Sequence, residues 1–197
     1  MSESTETLWA VVLGAMLATV GGFVATRLEE IFRRRERERS AALLFGEILT
    51  AIELLARFAN TARLRGDPYG GVTLRLMRGI RREVDVYERD RESLYDLRDA
   101  VTRARIHTLM VRLTMALEGV FDATAQIAAE KALTRSAVLD EPVQAQLDAS
   151  LEALVEQRDT AFAFAMETIA ATPPILEALR PLARHDFSAP AAVVQDF

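Results

Sequence analysis

Residues 7–26, TLWAVVLGAMLATVGGFVAT, carry no charged side chain and lie between Glu6 and Arg27. As a helix rising about 1.5 Å per residue the stretch is about 30 Å long, the thickness of the hydrocarbon core of a bilayer. The expectation is a transmembrane helix with a folded domain tethered to it. A cleaved signal peptide would place basic residues before the apolar run and would have a shorter apolar core. Here Arg27, Arg33, Arg34, Arg35, Arg37 and Arg39 follow the run, and no Lys or Arg precedes it. A buried helix of a soluble protein would not give way so abruptly to RRRERER, residues 33–39. Basic residues beside a span stay on the cytoplasmic side. The N-terminus is therefore expected outside and residues 27–197 in the cytoplasm.

The run also carries small residues four apart: Ala10, Gly14, Ala18, Gly22 and Thr26. Such a row lets two membrane helices approach closely, where dispersion and weak hydrogen bonds replace a hydrophobic drive. The alternative is that Gly and Ala are simply frequent in membrane helices. Trp9 sits where an interfacial anchor belongs. Just inside, Arg33, Arg34 and Arg35 are the expected contacts with anionic headgroups, each worth about 1 kcal/mol near the surface.

Composition narrows the function classes. No Cys is present, which removes disulfides, thiolate metal sites and cysteine nucleophiles. Net charge is −5, with the positive charge concentrated beside the membrane run, so a nucleic-acid binder is not expected. Half the residues are apolar, and the spacing favours an all-α fold. From Arg27 to Ala62 there is no Pro and only Gly46 among the glycines. Phe45, Ile48, Ile52, Leu55, Ala59 and Ala62 alternate three and four apart, the seam of a helix packed lengthwise. The first helix is expected to run from the membrane to about Arg65, about 85 Å, with a break near Ser40 as the alternative.

Gly66–Gly71 is turn-rich. A short helix is expected over 74–80, then a charged stretch over 81–99 that forms a short helix or two with irregular joints. The period returns with Ile106, Met110, Leu113, Leu117, Val120, Thr124 and Ile127 behind Asp99 as N-cap. Asp140, Glu141 and Pro142 open the next helix. Its buried face is expected to comprise Val143, Leu147, Leu151, Leu154, Val155, Phe162, Ala165 and Ile169. Thr172 caps a last short helix, 175–183, and a frayed tail is expected after it, with docking of Phe187, Val193, Val194 and Phe197 on the bundle or on a partner as the alternative. The organisation is thus an outer tail (1–6), a span (7–26), a juxtamembrane helix (27–40), an antiparallel cytoplasmic helical bundle (41–184) and a C-terminal tail (185–197).

Catalytic signatures are absent. There is no GK[ST] loop, no HExxH, no GxSxG and no Glu-x-x-His pair. No cofactor or metal is expected. The candidate interaction surface is the charged stretch with the next helix: Tyr87, Glu88, Arg89, Arg91, Tyr95, Arg98 and His107. Its structural alternative is a salt-bridge network that fixes the segment. An enzyme would need Tyr87, Glu88, Arg91 and His107 to converge on a closed pocket.

The segment VYERDRESLYDLRDAV…RIHTLMVRL, residues 86–113, together with the span and the arginine run, resembles bacterial membrane-anchored proteins of similar layout. These have an N-terminal span, an Arg-rich juxtamembrane run and a later VYE…L…L segment ahead of a helix. The likeness covers residues 7–130 in arrangement. Arg89-Asp90 and Leu94-Tyr95-Asp96-Leu97 stand where that pattern has a small residue with Asn and Leu-Gly-Leu. The resemblance implies a single-pass protein of the bacterial inner membrane and supplies no catalytic residues. The leading expectation is a non-enzymatic protein whose helical domain mediates assembly, as a homo-oligomer or as an accessory subunit with another membrane protein. A sensor relaying a signal along the first helix is the alternative. An enzyme using residues 81–99 and His107 is more remote.

Overall fold

The computed structural model describes the backbone of residues 3–136 and 140–187, and side chains at 16–17, 21–134 and 140–187. These residues form α1 (Glu3–Leu64), α2 (Gly71–Arg89), a 3₁₀ turn (Arg91–Asp96), α3 (Ala100–Ser136), α4 (Glu141–Ile169) and α5 (Pro173–Ala183), with no strand among them. Among the described residues no helix is long and apolar enough to cross a membrane. The side chains of Ala10, Gly14 and Ala18, with most of the 7–26 stretch, lie outside them.

Helix α1 is unbroken, so Ser40 lies inside it and starts no new helix. Glu29–Arg33 (2.5 Å), Glu30–Arg34 (2.6 Å) and Glu53–Arg57 pair one turn apart along it, each worth a few tenths of a kcal/mol. Its environment changes at one point. Residues 21–39 are almost all exposed, whereas Ala41, Ala42, Phe45, Ile48, Leu49, Ile52, Ala56 and Ala59 are buried.

Helices α2, α4 and α5 contact α1, and α3 packs on α2 and α4, with α1 to α4 successively antiparallel. Tyr87 of α2 meets Phe45 of α1, edge to face at 6.0 Å, and Gly79 lies against Leu55. Tyr87 and Arg81 of α2 reach His107 and Glu118 of α3. On α4, Ala161 faces Gly119 of α3, and Ser150 donates to Glu130 at 2.8 Å. The result is an up-down-up-down bundle. Helix α5 folds back to its entrance, where the Arg39 Nε–H donates to the Ala183 carbonyl at 3.3 Å.

Helix α2 is one continuous helix from Gly71 to Arg89, where separate short helices with irregular joints are expected. The charged residues up to Arg89 belong to it, and the irregular part shrinks to residues 90–99. Thr73, Met77, Ile80, Val84 and Tyr87 are buried four and three apart, a complete helical seam partly built from Thr and Tyr. The Asp67 carboxylate caps this helix, accepting from the N–H groups of Val72 (2.8 Å) and Thr73 (2.9 Å). Gly70 is required there, because a Cβ would lie 1.4 Å from an Asp67 carboxylate oxygen. Asp99 caps α3 as expected, accepting from Val101 N–H (3.1 Å) and Thr102 N–H (3.0 Å). The Thr102 hydroxyl, and then these two N–H groups, hold the Asp99 carboxyl below its usual pKa.

Two expectations for α4 and α5 are corrected. Val143 (48%) and Val155 (36%) are exposed, because the outer halves of α3 and α4 pack on each other beyond the reach of a third helix. The buried seam is Leu154, Phe162, Ala165 and Ile169, with Leu147 and Leu151 half-buried. Thr172 does not cap α5 through its side chain, and its hydroxyl is buried without a partner. Pro181 lies inside α5, which ends at Arg184 in the left-handed region (φ 52°).

Past α5 the chain does not fray at once. Phe187 is buried on Gly46, where a Cβ would fall 2.1 Å from the ring. Residues 188–197, with Val193, Val194 and Phe197, lie outside the described residues. Phe187→Ala should therefore lower stability by about 3 kcal/mol, measured by urea unfolding followed by circular dichroism. A loss under about 1 kcal/mol would mean that the ring is not part of the folded core.

Candidate functional site

The sequence-predicted surface is brought together only in part. Tyr87 is buried, and its hydroxyl meets Nδ1 of His107 at 3.0 Å. Arg91 and His107 line a depression of about 250 Å³ with Leu94, Tyr95 and Arg103. Glu88 does not line it and instead pairs on the surface with Arg91 at 3.8 Å. Tyr95 is 77% exposed, and Arg89 is exposed at the end of α2. Burial raises the pKa of Tyr87 above that of an ordinary phenol, with the Glu88 charge adding to it.

Arg98 and Arg103 have architectural roles. The Arg98 backbone N–H donates to Glu38 at 3.2 Å, and its guanidinium lies 3.4 Å from the same carboxylate. This clamps the segment before α3 to α1 at the entrance of the bundle. The Arg103 guanidinium donates to the carbonyls of Leu97 (2.5 Å) and Arg98 (3.1 Å).

The larger feature is a groove of about 640 Å³ between the first turns of α3 and the α4–α5 junction. Small side chains make the room: Ala100 and Ala104 on α3, and Ala171 between α4 and α5. Leu109, Pro174 and Ile175 supply apolar wall, and Arg105 and Arg112 add guanidinium groups to the lining. Ala100 and Ala104 also line the smaller depression, so the two adjoin across α3. Thr168 lines the groove, and its buried hydroxyl has no hydrogen-bond partner. No linear motif announces this site, because three elements distant in sequence build it.

A third cluster ties the far end of the bundle. The Tyr69 hydroxyl donates to Asp159 at 2.5 Å, and Arg63 pairs with the same carboxylate at 3.0 Å. The Arg158 guanidinium stacks 3.8 Å over the Tyr69 ring, and Tyr69 packs edge to face on Phe162. Tyr69 holds a left-handed backbone (φ 60°), which a bulky residue adopts only where its surroundings over-determine it. Burial, then the hydrogen bond to Asp159, pushes its pKa well above the ordinary phenol range. The groups packed around this phenol include no nucleophile or base other than the ion-paired Asp159, so the cluster reads as a lock joining α1, the α1–α2 loop and α4.

Of the expected membrane-side residues, Gly22 has no atom within 4 Å of where a Cβ would stand. The Thr26 hydroxyl donates to the Gly22 carbonyl at 2.9 Å. Arg33 and Arg34 are engaged in their exposed intrahelical pairs, while Arg35 is exposed. Among the described residues no group of three or more His, Asp or Glu is placed to hold a metal ion.

A phenol whose pKa is raised by folding favours the fold below the unfolded-chain value of about 10, and this contribution fades as pH climbs above it. Stability should thus fall above about pH 10, by up to about 1.4 kcal/mol per pH unit for each tyrosine so held. Tyr69→Phe should lose less per pH unit in urea unfolding between pH 9 and 11. Equal slopes in both proteins would show that Tyr69 is not held neutral by the fold. No protein-family model, curated protein or solved structure matches the chain.

Proposed function

We propose that this chain is a non-enzymatic, single-pass protein of the bacterial inner membrane, with residues 7–26 as the span and the N-terminus outside. Its helical domain then lies in the cytoplasm and mediates assembly, as a homo-oligomer or as an accessory subunit. One observation carries the reading. Helix α1 leaves the bundle at Glu38 and continues toward the N-terminus without a packing partner among the described residues. Phe23, Val24, Leu28, Ile31 and Phe32 are exposed along it. An isolated helix with such a surface gains nothing in water to hold it together, since most helical stability comes from packing an apolar face. A bilayer and a second helix supply that packing, and the uncharged 7–26 sequence and the small-residue row fit both.

The unbroken course of α1 also favours the sensor reading. A helix without Pro, bulge or hinge between span and bundle passes on rotation and piston movement as a rigid rod.

The chain should stay in the membrane pellet after alkaline carbonate extraction, and release by carbonate would refute the span. Because there is no native Cys, Thr26→Cys alone reports contacts at the row. With copper phenanthroline added as oxidant, it should form a disulfide-linked species in native membranes, with itself or with a partner carrying a thiol, more readily than Phe23→Cys. Gly14→Leu with Gly22→Leu should weaken association about tenfold, near 1.4 kcal/mol. Unchanged association would remove the row from the interface.

A further inference from the structure

We propose that the groove beside the start of α3 binds a single acyl chain carrying an anionic head, with the chain along Ala104, Ala171 and Ile175 and the head at Arg105 and Arg112. The volume, about 640 Å³, falls in the range of about 300–1,000 Å³ common to small-molecule sites. The walls are aliphatic and lack aromatic rings, which suits a flexible hydrocarbon better than a flat heterocycle. The polar groups are few and of one sign. The Arg105 side chain makes no hydrogen bond or ion pair among the described residues, although its charge reaches Asp99. Arg112 has only a long contact of 3.6 Å to the exposed Glu167, and its guanidinium stacks on Phe164 at 4.8 Å. Both cations are therefore available to a carboxylate or phosphate, which a guanidinium receives through two parallel N–H donors.

The Thr168 hydroxyl is the independent sign that something is missing. Thr168 is 2% exposed and lines the groove, and its hydroxyl has no partner. A buried hydroxyl without a hydrogen bond costs about 1–3 kcal/mol, and a helical Thr normally satisfies it on the carbonyl four residues back, as Thr114 and Thr124 do on this bundle. A polar atom of a bound molecule would satisfy it instead. The location fits an amphiphile as well. Arg98 is clamped to Glu38, so the first turns of α3 sit at the end of the bundle where α1 enters. The chemistry is that of a free long-chain carboxylate or of an anionic lipid with one chain drawn from a bilayer. The groove stands without the membrane reading, since its walls belong wholly to the bundle.

The test uses the full chain in phosphatidylcholine nanodiscs and palmitate bearing a mid-chain diazirine, with the cross-linked peptides identified by mass spectrometry. A chain that fails to enter nanodiscs is tested in buffer, which separates failure of the span from failure of the groove. Cross-links should fall on peptides containing Ala104 and Ala171. Palmitate displacing the probe while phosphatidylglycerol in the disc does not identifies a free carboxylate as the source. Displacement by phosphatidylglycerol as well as by palmitate identifies the membrane, and both outcomes support the site. Arg105→Gln with Arg112→Gln should weaken binding at least tenfold. Ala104→Trp, at an exposed position, should block the groove and abolish groove cross-links while leaving the unfolding midpoint unchanged. Cross-linking confined to α1, or equal labelling of the wild type and Ala104→Trp, would overturn the proposal. So would equal binding of the uncharged methyl ester.

Discussion

One face of α1, from Ala41 to Ala59, is the surface on which the rest of the domain condenses. It alternates bulk with near-absence of bulk. Phe45, Ile48, Leu49 and Ile52 each bury a large side chain, worth about 1.5–3 kcal/mol apiece. Ala41, Ala42, Gly46, Ala56 and Ala59 let neighbours come close. Helices α2 and α5, the 3₁₀ turn and the middle of α4 all touch α1, whereas α3 is held chiefly by α4 and α2. Stability therefore radiates from a single helix that belongs to two environments. The same rod that nucleates the core carries an exposed apolar surface away from it.

The two ends of the bundle are built differently. At the entrance, Glu38 holds Arg98, Arg39 reaches Ala183, and Phe187 covers Gly46, so three separate segments are pinned to about two turns of α1. At the far end the Tyr69–Asp159–Arg63 lock closes the four-helix part. Beyond it α3 and α4 continue as a two-helix arm, with Leu133 and Val143 exposed and the Glu130–Ser150 bond between them. An arm with few buried contacts occupies the low-stability end of a protein's opening spectrum.

The sequence made the long elements legible where periodicity and caps agreed. Phe45 to Ala59 and Ile106 to Ile127 announced α1 and α3, and Asp99 behaved as its position suggested. Helix α2 was obscured because two of its buried positions are Thr73 and Tyr87, residues scored as polar until their hydroxyls find Asp67 and His107. The face of α4 was over-extended because period alone does not say whether a third helix is present to bury Val143. Within the expected interaction surface, the Tyr87–His107 contact came together, while Glu88 and Tyr95 turned out to be surface residues. The groove was illegible for a different reason. It is made of alanines, which have no chemistry of their own, and it exists only where α3, α4 and α5 converge.

An unbroken helix also fixes azimuth. About seven and a half turns separate position 18, the midpoint of the small-residue row, from Phe45 at 3.6 residues per turn. Position 18 of the helix backbone thus lies on the opposite side of the α1 axis from Phe45. Two copies meeting in parallel along the row would bring their α1 rods together and hang both bundles on the outside. The strip of α1 turned toward the shared axis would carry Glu47, Leu54 and Phe58, none of them fully buried within one chain. Inserting a single residue between Thr26 and Ala41 would swing that arrangement by about 100°, so the length of the charged connector is itself a structural parameter of the protein.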